Sequence, residues 1–180
     1  MILNANLSQY CIWFPQNFFY PEIEKEWLPV IKRLKLPYQT LEDFINANVQ
    51  SLNFPRIDLT PMTQQQSEYT ITYRGGKEIE PQLDKNITIT FKMSEGLLSY
   101  WILFNQIELY LKYEDTQPFW PSLYTSFLDN NGFEILNFEF QKTVPTGLSA
   151  FDISYSKNDA AFQTFTLNLR YNRFKIIYKK

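Results

Sequence analysis

Two stretches of this sequence alternate apolar and polar residues without a slip. Ile87, Ile89 and Phe91 alternate with Thr88, Thr90 and Lys92. Phe165, Leu167, Leu169 and Tyr171 alternate with Thr164, Thr166, Asn168 and Arg170. Successive side chains of a strand point to opposite faces, so a period of two describes a strand with one buried and one solvated face. Tyr69, Ile71 and Tyr73, set between threonines, repeat the pattern. The spacing also predicts strands at Leu123–Leu128 and Phe133–Gln141, joined by the turn Asp129-Asn130-Asn131-Gly132, because Asn-Gly between two such runs favours a hairpin. Leu148–Ser154 reads as a further strand. One helix interrupts them, opening at Ser94 and running to about Tyr113. Leu97, Leu98, Trp101, Phe104, Ile107 and Leu111 form its apolar stripe, with Gln106, Glu108 and Lys112 outside it. Strands that do not alternate with helices pair antiparallel. The expected fold is mainly β: an antiparallel β-sandwich or barrel with one flanking α-helix over about 94–113.

The first third has a different texture. Six prolines, at 15, 21, 29, 37, 55 and 61, cut it into short pieces. Between Glu22 and Leu36, the residues Ile23, Trp27, Val30, Ile31 and Leu34 recur at helical spacing, with Pro29 expected to kink or restart the helix. Thr40 followed by Leu41-Glu42-Asp43 reads as a helix N-cap with acids in the first turn, and Leu41, Phe44, Ile45 and Val49 mark one face of that helix. Asn53-Phe54-Pro55 closes a strand. These features divide the chain into a helical, proline-broken N-terminal extension, 1–45, and a β-domain, 46–180. The extension is expected to dock on neighbouring subunits or partner proteins rather than complete the core.

The side-chain inventory narrows the chemistry. A chain of 180 residues has the size of one domain and buries roughly 70% of its unfolded surface, enough to fold without disulfide or metal. Histidine is absent, which removes imidazole bases, Ser-His and Cys-His pairs and His-ligated zinc. The single Cys11 has no disulfide partner in the chain. Seventeen basic and 19 acidic residues leave 17 − 19 = −2, so no broad phosphate-neutralising charge is present. Gly75-Gly76-Lys77 lacks the frame of a phosphate loop and reads as a turn. Asp129-Asn130-Asn131-Gly132 lacks the later bidentate acid of a calcium loop. Carboxylates are the remaining candidates for acid–base work: Glu22-Glu24-Glu26, Glu42-Asp43, Glu78-Glu80 and Glu114-Asp115. Each sits beside a base or at an element end, where a solvated surface is the default. Trp120, between Phe119 and Pro121, leaves open a sugar-stacking platform beside its reading as a buried loop anchor. No enzyme activity, cofactor, metal or membrane segment is expected. The N-terminus lacks an export-signal pattern, and the apolar stretches are shorter than the ~18 residues of a membrane helix. What stands out instead is an 18% aromatic content, part of which is expected to become buried only on assembly.

In the C-terminal third, Phe138-Glu139-Phe140-Gln141-Lys142-Thr143-Val144-Pro145-Thr146-Gly147-Leu148-Ser149 precedes Asp152-Ile153-Ser154-Tyr155-Ser156. The alternating run from Phe162 to Tyr171 follows, and then Phe174-Lys175-Ile176. Upstream, Gly75-Gly76-Lys77-Glu78-Ile79-Glu80-Pro81 precedes Ile87-Thr88-Ile89-Thr90-Phe91, with the helix after it. Over about residues 48–178 the chain resembles the tail tube protein family of contractile-tailed bacteriophages. The resemblance implies a structural virion protein made in the host cytoplasm. It implies homohexameric rings that stack into a hollow tube contacting tail sheath, baseplate or tail terminator proteins. DNA passes through such a tube without tight binding. The polar strand faces, Thr88, Thr90, Thr164, Thr166, Asn168 and Arg170, are then the expected lumen-facing positions, since the opposite faces are apolar and belong to the core. Leu97, Trp101, Phe104, Ile107 and Leu111 are expected to pack the helix on the sheets. The shorter tube proteins begin their first strand near the N-terminus, whereas some 45 residues come first here. Proteins that initiate or terminate the tube share the fold and carry extra segments, and this is the alternative within the class. Outside it stand a sugar-binding β-sandwich and a carboxylate-based hydrolase.

Overall fold

The computed structural model describes residues 10–56, 61–66, 69–73, 75, 84–113, 118–129, 131–151 and 163–178. Among these residues ten strands and three α-helices follow one another as β1 (Tyr10–Trp13), α1 (Pro21–Arg33), α2 (Leu41–Asn48), β2 (Val49–Asn53), β3 (Met62–Gln66), β4 (Tyr69–Tyr73), β5 (Asn86–Lys92), α3 (Leu98–Lys112), β6 (Leu123–Leu128), β7 (Glu134–Gln141), β8 (Val144–Leu148), β9 (Thr164–Arg170) and β10 (Arg173–Tyr178). One antiparallel sheet has the order β1-β6-β7-β10, a second has β2-β5-β9-β8, and β3-β4 form a separate hairpin. The chain passes from the first sheet to the second at Lys142-Thr143 and returns at Tyr171-Asn172. Lys142 takes the corner at φ 54°, and Asn172 donates its side-chain amide to the Lys142 carbonyl at 2.9 Å, tying the two crossings together.

The alternating strands fold as their pattern dictates. Ile87, Ile89, Phe91, Phe165, Leu167 and Leu169 all turn inward, where each is at most 1% exposed. Phe140, Leu123 and Tyr171 belong to the same buried cluster. Phe91 stacks on Phe165 with ring centroids 5.3 Å apart and planes 15° from parallel. Thr40 caps α2 by accepting a hydrogen bond from the Asp43 amide at 3.1 Å, and Pro29 is carried inside α1. The strand expected at Leu148–Ser154 begins earlier, as β8, and residues 152–162 lie outside the described residues.

Two expectations are overturned. The first concerns the N-terminal extension. Phe14, Phe18, Phe19, Ile23, Ile31, Leu41, Phe44 and Ile45 belong to the same buried cluster as the strands, and β1 is an edge strand of the first sheet. Residues 10–45 complete the core instead of standing apart from it. The cause is the aromatic run from Phe14 to Tyr20, which has no ladder partner of its own and is held by polar side chains. Asn46 accepts from the Phe14 amide through Oδ1 at 2.8 Å and donates to its carbonyl at 3.4 Å. Glu42, itself 5% exposed, accepts from the Phe18 amide at 3.1 Å. Gln106 Nε2 donates to the Phe18 carbonyl at 3.0 Å, and its Oε1 accepts from the Tyr20 amide at 3.2 Å.

That clamp also decides the second expectation, the orientation of α3. Trp101, Phe104 and Leu111 are 40, 43 and 65% exposed and Leu97 lies outside α3 at φ 57°, while Ile107, half-buried, does pack against the core. The buried face is Leu98, Ser99, Ile102, Leu103 and Gln106. The helix is apolar on most of its circumference, so the stripe alone does not select a face. Gln106 inward satisfies two backbone groups, and Ser99 donates to the Lys92 carbonyl at 3.1 Å while its amide bonds Ser94 Oγ at 3.0 Å. Buried backbone groups left unpaired cost more than aromatic surface left in water. Accordingly, Gln106→Leu is expected to lower stability by about 1–3 kcal/mol despite its greater apolarity, by leaving the Phe18 carbonyl and Tyr20 amide unpaired. Urea denaturation of the variant beside the parent measures this.

Candidate functional site

The outward-facing parity of β5 and β9 gathers the six polar positions singled out from the sequence. Pairing sets Thr88 opposite Asn168 and Thr90 opposite Thr166, with Thr164 opposite Lys92 and Arg170 opposite Asn86 at the two ends. Ser51 and Asn53 of β2 extend the surface, opposite Thr90 and Thr88. Thr164 and Arg170 are exposed, while Thr88, Thr90, Thr166 and Asn168 are half-buried. Thr88 Oγ1 donates to Asn168 Oδ1 at 2.8 Å, a cross-strand bond that fixes the centre of the face. At one margin, the Thr166 amide donates to Ser149 Oγ and the Ser149 amide to the Thr166 carbonyl, both at 2.8 Å. A residue added to Gly147 as Cβ meets only Asn168, at 4.0 Å, so the margin beside β8 is open.

Hydroxyls and amides dominate this surface, and its only charges on the paired strands are cationic, Lys92 and Arg170, at opposite ends. Such a face is wetted; its strand positions carry no carboxylate, and at one end Asp84, just before β5, accepts from the Asn86 amide and side chain at 3.0 and 2.9 Å.

Glu42 and Glu24 belong to the helices and not to this face. Glu42 is consumed by the Phe18 amide. Glu24 belongs to α1, and its carboxyl is pushed up first by burial and then by the Glu42 charge. Glu78, Glu80, Glu114 and Asp115 lie outside the described residues. Among the described residues no group of three or more His, Cys, Asp or Glu could hold a metal ion, and no helix is long and apolar enough to cross a membrane. The turn after β6 is closed by Asp129, which accepts from the Asn131 and Phe133 amides at 2.8 Å each. The sugar-stacking reading of Trp120 is corrected: its ring is 3% exposed, packed edge-on to Phe18 at 5.1 Å and to Tyr110 at 6.0 Å.

The structure also exposes aromatic side chains on the outward side of α3 and on the β3-β4 hairpin. The hairpin is uncharged within its strands and exposes Met62, Tyr69 and Tyr73. Its signal was the threonine–aromatic alternation of β4, while β3, a Met-Thr-Gln-Gln-Gln run, has none.

No family model matches the sequence, and no curated protein matches it. Solved structures do. The anti-feeding prophage cap, described as the AFP tube terminating cap, superposes with a TM-score of 0.58 at 10% identity, over 99% of this chain and 94% of that chain. A chain of the PVC sheath-tube complex of an extracellular contractile injection system, in its extended state, gives 0.48 at 14% identity, over 73% of this chain and 81% of that one. Hcp1 from Salmonella typhimurium gives 0.38 at 14% identity, over 72% and 70%. The superposition on the cap runs over nearly the whole chain, including the helices that precede β2. The chain has the contractile-tail tube-like fold that the resemblance led one to expect.

Proposed function

We propose that this protein is a non-enzymatic structural subunit of a contractile tail or injection apparatus, forming a homohexameric ring on the tube, at its end rather than along its repeat. The observation that carries the reading is the fold shared over 99% of the chain with a tube terminating cap, with α1 and α2 built into the same core as the strands. In this reading the face formed by Thr88, Thr90, Thr164, Thr166, Asn168 and Arg170 lines the ring's opening. Sheath, baseplate or terminator proteins are its neighbours, and the virion or particle tail is its place of work. A heterologous contact that closes by rotation builds such a ring from one kind of subunit. The repeating tube subunit is the second reading, favoured by the uncharged centre of the polar face.

Negative-stain microscopy of the concentrated protein is expected to show six-fold rings, with stacking limited to a few layers. Long tubes would favour the repeating subunit, and a strictly monomeric species, alone and with tube proteins, would sink both. DNA binding is expected to be weak and to vanish at raised salt, because affinity built on phosphate contacts falls steeply with ionic strength. A filter or anisotropy titration in two salt concentrations checks this, and tight salt-resistant binding would contradict it.

A further inference from the structure

Both crossings between the two sheets, at Lys142-Thr143 and at Tyr171-Asn172, fall at the same end of the sandwich. Arg170 ends β9 opposite Asn86 and Val144, and Arg173 opens β10 opposite Gln141. Lys142 turns the first crossing, and Lys85 precedes β5. Hydrogen bonds hold these backbones together. The Tyr171 amide donates to the Lys85 carbonyl at 3.0 Å and the Asn172 amide to the Gln141 carbonyl at 3.1 Å, beside the Asn172–Lys142 bond described above. Ladder and strand spacings of about 5 and 3.3 Å put the four basic residues within about 12 Å of one another at Cα. Arg170, Arg173 and Lys142 are exposed, and Lys85 is half-buried. Among the described residues that these four bond or pair with and their chain neighbours, the one carboxylate is Asp84, already engaged by Asn86. The end is therefore basic in a chain whose net charge is −2.

Two of the cations are fixed by what they touch. Lys85 Nζ donates to the Asn172 carbonyl at 3.3 Å and stands 5.4 Å from the centre of the Tyr171 ring. Lys142 Nζ stands 5.5 Å from the centre of the Phe119 ring. Tyr171 is fully buried, whereas Phe119 is 38% exposed and presents an aromatic surface beside a cation. An acidic protein partner would want desolvated apolar anchors at the centre of the contact, and here the cations are spaced by amides, Asn86 and Asn172. Guanidinium forks match phosphate oxygens, and a ring next to cations is what proteins offer to the bases of a single strand.

We propose that this end of the sandwich is a contact site for single-stranded nucleic acid, with Arg170, Arg173 and Lys142 on phosphates and Phe119 stacking on a base. The inference deepens the ring reading, on which its use rests: Arg170 also ends the polar face, so the contact stands at one mouth of the opening. Three phosphate contacts give the weak, salt-sensitive binding expected of a surface over which a strand moves.

Fluorescence anisotropy of labelled oligothymidylate over a salt series tests it on the full chain. The logarithm of single-strand affinity falls by about 0.7 per neutralised phosphate for each decade of salt, so three contacts give the parent a slope near about −2. Arg170→Gln and Arg173→Gln are each expected to make that slope shallower by about 0.7, with unchanged melting curves because both side chains are exposed. Lys25→Gln, on the exposed side of α1, is expected to leave it unaltered. Phe119→Ser is expected to weaken binding about tenfold at every salt concentration without moving the slope, since it removes stacking and not charge. Equal slopes in the parent and both arginine variants, or no binding at low salt, overturn the proposal. Polyglutamate displacing the strand as well as unlabelled oligothymidylate does, charge for charge, also overturns it and marks the end as a dock for an acidic protein. The rings are scored separately by microscopy, so a failed titration leaves the ring reading standing, and missing rings beside intact slopes leave the contact standing.

Discussion

Deleting residues 1–45 is expected to abolish the folded state, not to trim an appendage. Eight members of the central buried cluster come from that segment: Phe14, Phe18, Phe19, Ile23, Ile31, Leu41, Phe44 and Ile45. Each fully buried large apolar side chain contributes about 1.5–3 kcal/mol, so their joint loss is on the order of 10 kcal/mol or more. Net stabilities of domains are about 5–15 kcal/mol, which leaves little or nothing. The loss also strips β1 from the first sheet, where it pairs Tyr10 to Trp13 with Tyr124 to Phe127. It orphans Gln106 inside the helical layer as well, since both its backbone partners, Phe18 and Tyr20, are gone. Circular dichroism and thermal melting of chain 46–180 measure the outcome. A cooperative transition near the parent's would show that the strands and α3 fold alone and that the helical layer is accessory.

The second large effect is a contrast between two aromatic residues that look alike in sequence. Phe91→Ala is expected to cost about 3–5 kcal/mol, because the ring is fully buried between Phe165, stacked at 5.3 Å, and Phe14, at 6.1 Å, and nothing can fill the hole. Trp101→Ala is expected to cost about 1 kcal/mol or less, since that ring is 40% exposed and meets Phe104 and Tyr100 on the helix surface. Denaturant midpoints with unchanged slopes give both numbers. Equal costs would mean that α3 turns its Trp101 face to the sheets after all.

The failure of the Trp101 stripe has a definite physical origin. A helix announces its buried face only when polar and apolar residues segregate around it. In α3, Ile102 and Leu103 compete with Trp101, Phe104 and Leu111 for the interior, and of the expected stripe Leu98 is the member that is buried. Both sets are apolar at helical spacing, and the tie is broken by two hydrogen bonds at Gln106, which accepts from the Tyr20 amide and donates to the Phe18 carbonyl, 86 and 88 positions away. Nothing within the helix's own sequence encodes those partners. The same long-range bonds drew the proline-broken segment into the core, where composition had set it apart.

What the sequence determined alone was every feature fixed within a few residues. A period of two assigns each side chain of β5 and β9 to a face, so the buried set and the polar set, Thr88 and Thr90 with Thr164, Thr166, Asn168 and Arg170, were readable before any pairing was known. The Thr40 cap, the Asp129 turn and the β6–β7 hairpin are likewise local, closed by side chains two to four residues from the groups they bond. Tertiary structure decided what depends on partners distant in the chain: which side of α3 is inside, that Phe14 to Tyr20 plugs the core, and that Trp120 is buried rather than displayed. Burial of a group that has several competing partners is a property of the assembled core, and it is settled only when the backbone groups needing those partners are brought together.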